Sequence, residues 1–99
     1  MLRRFLVERE IPGIGGRSAE GLGETARTAN VALDKLSGIQ WQCSFVAQNK
    51  TFCIFLADSE AVIREHGRLS GFPVNRITEI PTIVDPASER HCAILAKSA

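Results

Sequence analysis

Two kinds of hydrophobic pattern alternate along this chain, and their order limits the folds that it can adopt. Residues 5–10 alternate loosely between apolar and polar and end at Ile11-Pro12-Gly13, which is typical of a strand closed by a turn. A helix is predicted next, with Ser18 as its N-cap and Ser37-Gly38 as its end. Its apolar stripe recurs at spacings of three and four residues, at Leu22, Ala26, Ala29, Leu33 and Leu36.

The middle of the chain predicts a β-hairpin. Residues 39–46 and 51–57 are rich in aromatic and β-branched side chains, and the polar segment 47–50 separates them. After the hairpin, Asp58 is the expected N-cap of a second helix that ends at Gly71, where Phe72-Pro73 prevents its continuation. A last strand is predicted over residues 76–84, and Pro81 within it favours an edge position or a bulge.

The resulting order is β-α-β-β-α-β, which is the split βαβ pattern of ferredoxin-like domains. We therefore predict an α+β sandwich in which two helices cover one face of a four-stranded antiparallel sheet. Residues 1–86 would form this domain. Residues 87–99 would form a tail rich in polar and small side chains, with a helical turn around residues 93–95.

Size and charge exclude several classes of protein. A chain of 99 residues has room for one hydrophobic core, and 44% hydrophobic with 23% charged residues is an ordinary globular composition. The net charge of +1 gives no strongly basic face, so nucleic acid is not an expected partner. Because the N-terminus has only a three-residue apolar run before Glu8, it predicts neither a signal peptide nor a membrane span, and we expect a cytoplasmic protein.

The hairpin also predicts a partner. Sorted by alternation, one face carries Ile39, Trp41, Cys43, Phe45, Phe52, Ile54 and Leu56, and the other carries Gln40, Gln42, Ser44, Val46, Thr51, Cys53, Phe55 and Ala57. Both faces hold apolar side chains, and two helices can cover only one of them. Pairing of the uncovered faces would give a homodimer of the dimeric α/β-barrel type. A charged substitution at Phe45 or Phe55, whichever of the two lies on the uncovered side, should split this dimer.

Several segments resemble a known family. Phe5-Leu6-Val7-Glu8-Arg9, Trp41 with Ser44-Phe45-Val46, Thr51-Phe52-Cys53-Ile54-Phe55, Ile63-Arg64-Glu65-His66, Gly71-Phe72-Pro73 and Arg76-Ile77-Thr78-Glu79-Ile80 are similar to a small bacterial family that was catalogued as a domain of unknown function and later described as nickel-binding. The resemblance extends over residues 2–86 and implies a ferredoxin-like fold, a homodimer and a nickel-type divalent metal. The chain departs from the family at Gly13–Gly16 and after Pro86, and it has Phe45, Phe52 and Phe55 where tyrosines are expected.

Three residues are candidate metal ligands. His66 lies on the apolar stripe of the second helix, so its imidazole should point toward the sheet, either as a hydrogen-bonded core histidine or as a ligand. Cys53 lies in the middle of a strand, where its thiol is either a small buried hydrophobe or a soft donor. Glu8 lies on a strand that is central in this fold, where its carboxylate needs an arginine or a metal, and Glu79 is expected to join it.

Two functions from different classes are compatible with these residues. The first is a homodimeric nickel-type binding protein for sequestration or sensing, with His66, Cys53 and Glu8 as its ligands. The second is a small-molecule enzyme of the dimeric α/β-barrel class, with Glu8 or His66 as the general acid or base. Residues 50–55 also resemble the aromatic strand of an RNA-recognition module. The second stacking ring and the glycines of that strand are missing from this chain.

Overall fold

The computed structural model describes residues 1–90, and it has the predicted order of elements. The four strands are β1 (Arg3–Glu10), β2 (Ile39–Val46), β3 (Lys50–Ala57) and β4 (Arg76–Glu79), and the two helices are α1 (Ala19–Leu33) and α2 (Glu60–Ser70). All strand pairs are antiparallel in the order β2-β3-β1-β4. The predicted α+β, ferredoxin-like architecture is therefore confirmed.

Local sequence explains three of the four helix ends. The predicted end of α1 at Ser37-Gly38 is wrong, because α1 ends at Leu33 and the chain continues in tighter turns, with the Lys35 and Leu36 amides donating to the Ala32 and Leu33 carbonyls. Ser18 caps α1 as predicted, since its hydroxyl accepts from the Gly21 amide at 3.1 Å. At α2 the predicted cap is wrong by one residue, because Ser59 rather than Asp58 accepts from the Val62 amide. Gly71 ends α2 in the left-handed conformation at φ 81°, which glycine adopts without strain.

Strand β4 is shorter than predicted. It ends at Glu79, two residues before Pro81, rather than continuing to Val84. Proline has no N–H to donate to a neighbouring strand, and β4 is an edge strand paired only with β1. The predicted turn at residues 93–95 lies outside the described residues, and the division of the chain near Pro86 stays a prediction. None of the helices within residues 1–90 is long and apolar enough to cross a membrane.

Helices cover one face of the sheet and leave the other face open. We call the side that packs against α1 and α2 the covered face; it carries the buried residues Phe5, Val7, Arg9, Thr51, Cys53, Phe55 and Ala57. We call the other side the open face; its central positions are Leu6, Glu8, Phe52, Ile54 and Leu56, which alternate with the buried set along β1 and β3 and are only partly buried.

Simple alternation is wrong for the first half of β2. The pairing of β2 with β3 shifts between Trp41 and Cys43, so Gln42 is an extra residue in a β-bulge. Ile39 and Trp41 therefore lie opposite Ala57 and Phe55 on the covered face, whereas Cys43 and Phe45 lie on the open face. Without the bulge, alternation had placed Ile39 and Trp41 on the same side as Phe45.

Candidate functional site

A cavity of about 170 Å³ lies between α1 and the covered face. Leu22, Thr25, Ala26 and Ala29 of α1 form one wall, at helical spacings of three and four. The sheet supplies Trp41, Ser44, Thr51, Cys53, Phe55 and Arg9, and α2 supplies His66. We call this space the Arg9 cavity, because Arg9 is the single residue in its lining with a permanent charge.

His66 is buried beside this cavity, and both of its ring nitrogens have hydrogen-bond partners. Its Nε2 lies 3.1 Å from the Ala29 carbonyl oxygen, and its Nδ1 lies 3.2 Å from Nη2 of Arg9. Since a carbonyl only accepts and a guanidinium only donates, Nε2 carries the proton and Nδ1 accepts. Burial and the Arg9 charge lower the pKa of His66, although the Ala29 carbonyl opposes this, so the imidazole is neutral at pH 7.

Arg9 is 2% exposed, and its guanidinium is held by groups from the other side of the core. Nη1 donates to the Phe72 and Pro73 carbonyl oxygens, at 3.2 Å each, and Nη2 donates to His66. Gly67 makes this possible, because a Cβ there would lie 2.7 Å from Val74 and 3.2 Å from the Phe72 oxygen. The glycine therefore lets the Phe72–Val74 segment approach α2 closely enough to reach Arg9.

Sequence reasoning had not identified Arg9 as a site residue. Its signal was the alternation of β1, in which Phe5 and Val7 occupy the core-facing positions and Arg9 occupies the next one. Burial lowers the pKa of Arg9, and the neighbouring Cys53 thiol partly offsets this effect. The group nevertheless stays protonated, because a guanidinium loses its proton only at strongly alkaline pH.

Cys53 lines the same cavity as His66. Its sulfur lies 3.4 Å from the Thr51 hydroxyl, and its side chain is buried. Two of the three predicted ligands therefore lie on the covered face. A divalent cation between them would meet the Arg9 charge and would have to displace Arg9 or Ala29 from the imidazole.

Glu8, the third predicted ligand, lies on the open face. Its Oε1 is 2.9 Å from Lys50 Nζ, and its Oε2 is 3.9 Å from Arg76 Nε. The Lys50 hydrogen bond is the largest cause of a lowered pKa for Glu8, with the charges of Lys50 and Arg76 adding to it against partial burial. The carboxylate is thus ionised at neutral pH, as cation binding requires.

Glu79 does not lie beside Glu8 on the open face, contrary to expectation. Glu79 pairs with Phe5 in the β1–β4 register, and Phe5 is a covered-face position, so Glu79 belongs to the opposite side of the sheet. There it bonds to Arg3, with 2.6 Å between Nη1 and Oε1. The position opposite Glu8 is occupied by Arg76 instead.

The sheet therefore separates Glu8 from Cys53 and His66 within one chain. Across residues 1–90, no group of three or more His, Cys, Asp and Glu side chains is placed to hold a metal ion. A further donor that sequence reasoning had not selected is the exposed thiol of Cys43, which the β2 bulge leaves on the same face as Glu8.

Comparison with known proteins identifies the family. Residues 5–80 match the family described as "Nickel responsive protein SCO4226-like". The chain belongs to this family. A solved structure titled "Crystal structure analysis of SCO4226 from Streptomyces coelicolor A3(2)" is similar at a TM-score of 0.65 and 21% identity, covering 82% of this chain and 99% of that one. At this identity the structural likeness shows a shared fold, and no match was found among curated proteins.

Membership in the family agrees with the resemblance noted in the sequence. The matched range includes β1, the hairpin, α2 and β4, so it spans both the Arg9 cavity and the open face. The family description is compatible with metal binding or sensing. It does not say which of these two surfaces is used.

Proposed function

We propose that this protein is a homodimeric binding protein for nickel or another divalent transition metal, acting in sequestration or sensing. The observation that carries the proposal is the family match over residues 5–80. The proposal keeps the cytoplasmic location expected from the sequence. It assigns the protein a binding role, and the ion is its ligand rather than a resident cofactor.

We further propose that the metal binds on the open face, with Glu8 as a donor. Electrostatics supports this choice, because the Arg9 cavity already holds a buried positive charge and residues 1–90 contribute no carboxylate to its lining. Glu8 is ionised and only partly covered, and a cation has to compete with Lys50 alone for close contact, since Arg76 is 3.9 Å away. Nickel accepts mixed oxygen, nitrogen and sulfur ligands.

The proposed homodimer would form through the same open face. Leu6, Phe52, Ile54 and Leu56 are only partly buried in one chain, and Phe45 beside them is 63% exposed. A stable interface buries about 800 Å² on each partner, which a four-stranded sheet face can supply. Two copies pairing by their open faces would contribute two Glu8 carboxylates and two Cys43 thiols to one interface, which one chain alone does not provide.

Calorimetric titration of tag-free protein with nickel tests the metal site, since a polyhistidine tag would bind nickel itself. Glu8→Gln should weaken nickel binding at least tenfold. Glu79→Gln is the matched control, because that glutamate also pairs with an arginine but belongs to the other side of the sheet, and it should bind as the parent protein does. Affinity should fall at acid pH, where carboxylate and thiol donors take up protons.

Two further variants decide whether the metal binds on the open face or in the Arg9 cavity. Loss of nickel binding in His66→Ala and Cys53→Ser, with Glu8→Gln unchanged, would move the metal to the Arg9 cavity and contradict the open-face assignment. Failure of the tag-free parent protein to bind nickel, copper, cobalt or zinc would contradict the metal-binding function itself.

Light scattering with a single substitution tests the dimer. Phe45→Asp puts a charge into the proposed interface, on the edge strand β2, and should give a monomer at micromolar concentration. Val31→Asp is its control, because Val31 is 51% exposed on α1, away from the sheet, and this variant should stay dimeric. A monomeric parent protein, or two dimeric variants, would refute pairing by the open face.

A further inference from the structure

We propose that the Arg9 cavity binds a small organic monocarboxylate, with the carboxylate on the Arg9 guanidinium and the apolar body between α1 and the covered face. This site lies on the opposite side of the sheet from the proposed metal site and goes beyond the proposed function. It rests on three observations: an uncompensated buried charge, free donors on that charge, and an adjacent apolar space of limited size.

The buried charge has no counter-ion in the described part of the chain. Arg9 is among the least exposed residues, yet none of the ion pairs found within residues 1–90 includes it. Its neighbour His66 is neutral, and none of the described residues that line the cavity is Asp or Glu. Buried charges in proteins are normally paired, so this arrangement favours binding of an anion.

The Arg9 guanidinium also has N–H groups that do not donate to an oxygen or nitrogen of the described chain. It carries five N–H groups in a planar fork, of which two donate to carbonyl oxygens of the Phe72–Pro73 segment and one to His66. The remaining N–H groups have no oxygen or nitrogen acceptor in the described chain, and the Cys53 sulfur beside them is only a weak acceptor. A carboxylate, like a phosphate, can accept from two donors of a guanidinium fork.

The cavity lining selects among anions. Trp41 and Phe55 from the sheet and Leu22 and Ala26 from α1 present apolar surface, and the hydroxyls of Thr25, Ser44 and Thr51 are the small polar groups nearby. A dianion such as phosphate would leave one charge unpaired in this apolar space, whereas a monocarboxylate matches the single charge of Arg9. A free volume near 170 Å³ suits an apolar body of about the size of a benzene ring.

Titration of metal-free, tag-free protein with benzoate, in the presence of a chelator and followed by two-dimensional amide NMR, tests this proposal. Benzoate should bind saturably and shift amide signals along β1, β3 and the middle of α1. Benzamide has the same ring without the charge, and it should bind at least tenfold more weakly. Equal affinity for the two compounds, or no saturable shift with benzoate, would overturn the proposal.

Variants connect the binding to the cavity. Arg9→Met removes the charge at similar length and should weaken benzoate binding at least tenfold, whereas Arg4→Met is the control, because Arg4 is on the open-face side of the same strand. Ala26→Leu fills the cavity without touching Arg9 and should abolish binding, so the test does not depend on the folding of Arg9→Met. Full binding in Ala26→Leu would overturn the proposal. Nickel titration of Arg9→Met and Ala26→Leu should be unchanged, which separates this site from the metal site.

Discussion

The two faces of one sheet use charged residues in opposite ways. On the open face, Glu8 is surrounded by two cations, and the group is close enough to water to stay ionised. On the covered face, Arg9, the next residue of the same strand, is stabilised within residues 1–90 by neutral groups, namely three hydrogen-bond acceptors and the Phe55 ring. The first arrangement satisfies a carboxylate, and the second leaves a cation without a counter-ion in that part of the chain. Adjacent residues on one strand therefore define two chemically distinct surfaces.

The largest difference between the faces should appear on truncation of a phenylalanine. Phe55→Ala removes a ring that is 2% exposed in the core and should lower the free energy of unfolding by about 3–5 kcal/mol. Phe45→Ala removes an exposed ring from the open face, and in the monomer it should have a much smaller effect.

Urea denaturation at two protein concentrations measures this contrast. The loss in Phe55→Ala should be the same at both concentrations, because the core belongs to one chain. The loss in Phe45→Ala should grow with concentration, because the parent protein gains stability from dimerisation and the variant gains less. Similar, concentration-independent losses in both variants would contradict the distinction between a core face and an association face.

The second prediction concerns the hydrogen bonds of the covered face. His66→Ala leaves the Ala29 carbonyl and one Arg9 donor without their partner and opens space next to Phe55, whose ring centroid lies 5.5 Å from the imidazole. Unfolding free energy should fall by about 2–4 kcal/mol. Arg64→Ala on the same helix is the control, since Arg64 only forms an exposed pair with Glu60 and should contribute little.

Urea denaturation of the two α2 variants checks this prediction. Equal stability of His66→Ala and Arg64→Ala would mean that the imidazole is not an integral part of the core. His66→Gln keeps a donor and an acceptor and should recover part of the loss, which distinguishes hydrogen bonding from packing.

Much of the fold could be predicted from the sequence because its signals are local. Alternation, helical spacing, Ser18 and Gly71 each act within a few residues, and they predicted the element order and two of the four helix ends. The bulge at Gln42 could not be predicted, because it depends on how β2 pairs with β3 rather than on the composition of either strand. One extra residue was enough to move Trp41 from the predicted side of Phe45 and Phe52 to the cavity.

The candidate site was less predictable, because it depends on which face the helices cover. Alternation correctly separates Glu8 from Arg9 along β1, but the two faces can be assigned only when helix positions are known. The Gly71-Phe72-Pro73 segment shows a similar limit. Its glycine and proline predict the end of a helix. The contact of its carbonyls with Arg9, in contrast, joins residues that are separated by 63 and 64 positions in the sequence.

The smallest predicted effect is a pH dependence that arises on the covered face alone. The pKa of His66 in the folded protein is below its ordinary value of 6.5, so between these two values the unfolded chain binds a proton that the folded chain does not. Stability from this group is therefore complete above about pH 6.5 and is lost as pH falls toward the folded-state pKa. The loss is limited to about 1.4 kcal/mol for each pH unit in that window.

Urea midpoints at pH 7.5 and pH 5.5, compared between the parent protein and His66→Gln, isolate this contribution. Other groups, including His91 and the carboxylates, are common to both proteins, so their titration cancels in the difference. The parent protein should lose more stability than His66→Gln between the two pH values. An equal loss in both would mean that His66 binds protons equally in the folded and unfolded states, which is incompatible with a neutral imidazole that donates to Ala29 and accepts from Arg9. Glu8 provides the contrast on the open face, because its lowered pKa places any loss of stability at more acid pH than this window.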